Sequence, residues 1–152
     1  MELALVRHAI AEDGDDDLTR ALSPKGKKRF RAVVKGLGAM GLRFDRVVHS
    51  PKLRALETAE LLAPLADELE SSSLLAQEPT TALFDVIVGA SVALVGHEPH
   101  LSALVAWLVT GQLDLGPHFA LKKGGVALLE GSAVPKGMQL VALLPPRLFS
   151  SR

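Results

Sequence analysis

At 152 residues the chain fits one domain spanning residues 1–152, because a chain of this length closes one core and is short for two. Seventeen basic residues balance seventeen acidic ones, which argues against nucleic acid or an anionic membrane as partner. Cysteine is absent, which excludes disulfides, thiolate metal sites and a cysteine nucleophile.

Met1-Glu2 leads directly into an apolar run, with no basic leader or small-residue cleavage site. The most apolar later stretch, Leu101 to Val109, is far short of the ~20 residues that cross a bilayer and predicts a buried helix. Cytoplasmic residence is the default expectation.

Leu3 to Val6 predicts a strand buried on both faces, stopping at Arg7-His8. Glu12 to Asp17 is acidic and contains glycine, the mark of an exposed loop. Ser23-Pro24 then supplies an N-cap and a first-turn proline. The helix that follows places Phe30, Val33, Val34 and Leu37 at i, i+3, i+4 and i+7, and Gly38 or Gly41 can end it.

Val47-Val48 predicts a second strand, and Ser50-Pro51 repeats the cap-and-proline signal before a helix carrying Leu53, Arg54, Leu56 and Ala59. Pro64 should break that helix, and Ser71 to Ser73 reads as a connection before a short helix with Leu83, Val86 and Ile87 on one face. Ser91 to Val95 predicts another strand, ending at Gly96-His97, after which Pro99 opens a helix with Leu101, Leu104, Val105 and Leu108 in phase. From Phe119 onward two apolar runs flank Gly124-Gly125, a hairpin signal, and Met138 to Leu144 adds a strand before Pro145-Pro146.

A strand, a polar tip and a helix thus recur three times. The pattern predicts an α/β three-layer sandwich with a mostly parallel central sheet, an antiparallel C-terminal part, and ligands beyond the carboxyl ends of the strands. Arg7, His8, Arg54 and His97 fall at those ends or at the helix starts that follow. Two guanidiniums and two imidazoles suit a phosphoryl dianion, since arginine grips phosphate oxygens through a planar fork and histidine can attack, donate or carry a proton. Helix starts at Pro51 and Pro99 should add free N–H groups to the same rim. Taken singly, a salt bridge to the acidic loop would account for either arginine, and a strand-ending hydrogen bond for either histidine.

Four motifs in order carry a resemblance: Leu5-Val6-Arg7-His8-Ala9, Leu22-Ser23-Pro24-Lys25-Gly26, Ser50-Pro51-Lys52-Leu53-Arg54-Ala55 with Thr58-Ala59, and Val95-Gly96-His97-Glu98-Pro99. Together they resemble the histidine phosphatase superfamily, and the short chain and Gly-His-Glu-Pro wording resemble its phosphohistidine phosphatase branch of the SixA type. Ala9 stands where that family usually has glycine. The resemblance implies a phosphoglycerate-mutase-like fold, His8 as nucleophile, and Arg7, Arg54 and His97 as phosphate-binding residues that stabilise the transition state. It implies no metal and no cofactor.

Many relatives place an acidic proton donor in a mid-chain insertion, but the segment between Thr58 and Ser91 is short here, which leaves Glu12, Glu98 and Asp85 as candidates. Transfer between imidazoles demands less acid help than expulsion of an alkoxide, so phosphohistidine on a protein is the expected substrate. A small phosphomonoester is the rival substrate, and a non-catalytic phosphoprotein-binding module the rival of another class. His49, His100 and His118 read as structural. Asp13, Asp15, Asp16 and Asp17 read as a solvated acidic loop, Arg20, Lys122 and Lys123 as surface charge, and Trp107 as helix packing.

Overall fold

The computed structural model describes residues 1–150. Six strands form one sheet: β1 (Glu2–Arg7), β2 (Phe44–His49), β3 (Ala66–Ser71), β4 (Ser91–Gly96), β5 (Val126–Gly131) and β6 (Met138–Leu144). Their order is β3-β2-β4-β1-β5-β6. Pairs β3/β2, β2/β4 and β4/β1 are parallel, whereas β5 and β6 join antiparallel at the β1 edge. The expected mostly parallel sheet with antiparallel C-terminal strands is what forms.

Helices α1 (Pro24–Ala39) and α2 (Leu53–Leu61) cover one face, and α4 (His100–Thr110) covers the other, with the single turn α3 (Leu83–Val86) beside it. Alternation along β1 divides the two cores: Ala4 and Val6 pack with Phe30, Val33 and Leu37, while Leu3 and Leu5 pack with Leu101, Leu104 and Leu108. This is why the central strands read as unbroken apolar runs rather than alternating ones.

Helix α1 begins as expected, with Ser23 Oγ accepting from Gly26 N at 2.9 Å. Gly26 is needed there, because a Cβ would lie 2.1 Å from the Ile10 carbonyl oxygen. Gly41, at φ 82°, turns the chain into β2.

Three expectations need correction. Helix α2 starts at Leu53 after Lys52, with no side-chain cap, so Ser50 is not its N-cap. Residues 66–71, not assigned as a strand from sequence, form the edge strand β3, held by parallel pairing to β2 and by Arg46 Nε donating to Glu70 at 2.6 Å. Gly124-Gly125 is no hairpin turn: residues 113–119 form a 3₁₀ segment, and the β5–β6 hairpin closes through residues 132–137. The glycines instead dock on the end of β1, where Gly125 O accepts from Arg7 N and Gly124 N donates to the carbonyls of Arg7 and His8, each at 3.0 Å.

Candidate active site

The pairing of β1 with β4 ends at Arg7 opposite Gly96, and His8 N donates to Gly96 O at 3.1 Å. The residues just past these ends, His8 and His97, therefore emerge side by side, with ring centroids 5.2 Å apart. Strand β2, on the far side of β4, delivers Ser50, whose N donates to Val95 O at 3.0 Å, and α2 then carries Arg54 in its first turn. His8, Arg54 and His97 are buried and Arg7 is half-buried.

His8 Nδ1 lies 2.7 Å from the Ala9 carbonyl oxygen. A carbonyl can only accept, so Nδ1 carries the proton and Nε2 keeps its lone pair. Burial pushes the His8 pKa down to about 4, against the pull of the Ala9 bond, and the charges of Arg54, Arg7 and Lys123 push it further the same way. Lys123, read from sequence as surface charge, thus reaches the site electrostatically. His97 is lowered to about 3, first by burial and then by His8, Arg54 and Lys52. Both rings are neutral near pH 7.

Small hydroxyls fix the frame. Ser50 Oγ accepts from Lys52 N at 3.2 Å and sits 2.8 Å from His97 Nε2. If the Ser50 hydroxyl proton goes to His97 Nε2, the ring proton stays on Nδ1. Thr58, fully buried, accepts from Ala9 N at 3.1 Å and donates to the Arg54 carbonyl at 2.7 Å, tying the backbone after the nucleophile candidate to α2. Sequence reasoning placed Ser50 as a cap and quoted Thr58 without a role; the Ser-Pro-x-x-Arg spacing was the signal for both.

The acidic loop is not merely solvated. Asp17 presents its carbonyl to Arg54 Nη1, one carboxylate oxygen to Arg54 Nη2 at 2.9 Å and the other to Lys52 Nζ at 2.7 Å. The salt bridge considered for Arg54 therefore exists, yet it engages only the outer end of the guanidinium. Arg7 similarly gives Nη1 to the Leu121 carbonyl at 2.8 Å. Three buried side-chain nitrogens among the described residues have no partner: Arg7 Nε, Arg54 Nε and His97 Nδ1. An unpaired buried polar nitrogen is costly in a stable fold, so three at one sheet end suit an acceptor-rich anion.

The other expectations resolve differently. At the helix starts, Leu53 N is taken by the Leu18 carbonyl and Ser102 N by Glu98 Oε1 at 2.7 Å, so these two N–H groups are not free for an anion. Glu98 also accepts from Leu121 N at 3.1 Å through its second oxygen, so its carboxylate braces α4 against the 121–125 segment. Glu12 is exposed on the loop, and Asp85 is exposed on α3, next to the Val86 and Val88 carbonyls that bind Arg46 toward the opposite end of β4. None of these three carboxylates hydrogen-bonds His8 or His97. His49 is buried against the Ser50 carbonyl, and Trp107 packs on Phe84. Among the described residues no three His, Asp or Glu side chains are grouped to hold a metal ion.

A family model described as histidine phosphatase superfamily (branch 1) matches residues 3–76. An "uncharacterized protein" of Picosynechococcus sp. is 35% identical over 145 residues, covering 88% of this chain and 87% of that one. Among solved structures, the protein histidine phosphatase SixA complexed with tungstate superposes with a TM-score of 0.83 at 23% identity, over 99% of this chain and 100% of that one. The alpha-ribazole phosphatase of Shigella flexneri gives 0.78 at 17% identity, over 96% and 97%. These likenesses establish a shared fold.

Proposed function

The chain belongs to the histidine phosphatase superfamily, and from that premise we propose that it hydrolyses phosphohistidine on a protein, with His8 carrying the phosphoryl group between substrate and water. The observation that carries this reading is the set of three unpartnered buried nitrogens, Arg7 Nε, Arg54 Nε and His97 Nδ1, around a neutral His8 with a bare Nε2.

His8 Nε2 attacks phosphorus in line, and the bond from phosphorus to the substrate's imidazole nitrogen breaks with its electron pair going to that nitrogen. The two arginines and the His97 ring N–H meet charge on the equatorial oxygens, already oriented and shielded from water. Water then attacks the phosphohistidine, releasing inorganic phosphate and restoring the His8 lone pair. Positive charge comes from the side chains, so activity persists in excess chelator.

Among the described residues no carboxylate hydrogen-bonds either histidine, and this supports a leaving group that needs little acid help. The alpha-ribazole phosphatase fold neighbour keeps a small phosphomonoester as the second reading. Turnover of a phosphohistidine protein and of sugar phosphates by one preparation separates the two. Hydrolysis of the first, with acid-labile, base-stable label trapped on the wild type and absent from His8→Ala, is the expected result. Hydrolysis of sugar phosphates with phosphohistidine left intact overturns the substrate assignment. Binding of phosphoprotein without turnover or label would make the chain a binding module.

A further inference from the structure

Beyond the phosphoryl pocket lies a cleft of about 580 Å³ that His8, Arg54 and His97 do not line. Arg7 is the residue common to both, so the cleft adjoins the site, and it runs along the start of α4. Its walls include Pro79, Pro99, Leu113 and Pro117, which are apolar and rigid. Its size falls in the range of cavities that enclose a sizeable ligand and exceeds what a phosphoryl group on an imidazole occupies.

Charges of both signs line it or stand beside it. Arg7 lines it, and the cations acting on His8 and His97 next to it include Arg54, Lys52 and Lys123. The cleft itself is lined by Glu78 and Asp114, both exposed, and by Glu98, whose two oxygens already serve backbone N–H groups. Two carboxylates therefore remain to meet a ligand. The complement of this surface combines an anionic group, apolar matter and a cation.

Building on the proposed function, we infer that the cleft is a specificity subsite for the polypeptide flanking the phosphorylated histidine, accepting an apolar residue followed by lysine or arginine. A sugar phosphate has the anion but neither the apolar body nor the cation, so it leaves Glu78 and Asp114 without partners. A peptide of the stated chemistry engages the whole length. Rim charges of this kind act on encounter and selectivity and weaken with salt.

The test uses the full-length protein and three phosphoryl donors: a phosphohistidine peptide flanked by Leu-Lys, one flanked by Ser-Glu, and phosphoramidate, which is too small to reach the carboxylates. Wild type should prefer the Leu-Lys peptide by about tenfold in kcat/KM at low ionic strength, and less at high salt. Glu78→Lys with Asp114→Lys should erase or invert that preference. Leu113→Ser, at a wall position 39% exposed, should lower the rate on the Leu-Lys peptide relative to phosphoramidate. Equal wild-type rates on the two peptides, or a preference the charge reversal leaves intact, overturns the subsite while the phosphohistidine activity stands. Hydrolysis of p-nitrophenyl phosphate but of no P–N donor overturns the function and the subsite together.

Discussion

Acidification tests whether the fold holds His8 and His97 neutral. Their pKa values in the folded protein, about 4 and about 3, lie well below the 6.5 of an unperturbed histidine. Between pH 6.5 and those values the unfolded chain binds protons that the folded chain refuses, so stability falls as pH falls, and the loss is complete once the folded values are passed. Each histidine contributes ~1.4 kcal/mol per pH unit inside that window, so a change from pH 7 to pH 5 costs about 2 kcal/mol apiece and about 4 kcal/mol together. Asp17 and Glu70 are lowered by their cationic partners from 3.8 and 4.5, so what they add is lost only at more acid pH, and pH 5 isolates the histidines. Urea unfolding followed by circular dichroism at the two pH values, in phosphate-free buffer, measures the loss. His8→Gln should remove about half of it. A wild-type stability equal at both pH values, or a His8→Gln protein with the full loss, would refute the claim that burial neutralises these rings.

Other substitutions probe single contacts. Arg54→Ala should lower kcat by roughly 10²- to 10³-fold, the usual cost of removing one preorganised donor to transition-state oxygens, as steady-state kinetics will show. Asp17→Ala removes a largely exposed ion pair that orients Arg54 and Lys52 but keeps the main-chain bond; about 1 kcal/mol, or about a fivefold fall in kcat/KM, is expected, with Asp17→Asn in between because its amide oxygen can still accept. Thr58→Val leaves Ala9 N–H buried and unpaired, and should destabilise by ~1–3 kcal/mol in urea melts as well as slowing turnover.

Legibility in the sequence followed how local the deciding interaction was. Val6-Arg7-His8 and Val95-Gly96-His97 announce themselves because an apolar strand stops abruptly at polar groups, and two such stops in parallel strands must share an edge. Helix α1 was equally plain, since Ser23, Pro24 and the Phe30 to Leu37 spacing all act within a few turns. Strand β3 was not, because Asp67, Glu68 and Glu70 have no strand preference of their own and owe their conformation to β2 and Arg46. The misreading of Ser50 has the same source: its local signal was a cap, whereas its partner His97 lies far along the chain. Asp17 looked like one acid among several, and only the docking of its loop on α2 singles it out.

The rung that joins Arg7 to Gly96 brings together segments from opposite ends of the parallel half of the chain. The reactivity proposed for His8 therefore belongs to the completed sheet and to no fragment of it. A nascent or partly unfolded molecule has a solvated, protonatable imidazole with no cations arrayed about it, and so lacks the arrangement proposed to take up a phosphoryl group. Recovery of turnover during refolding consequently clocks the closure of the two central strands, a long-range event that comes only after the chain has brought distant segments into register.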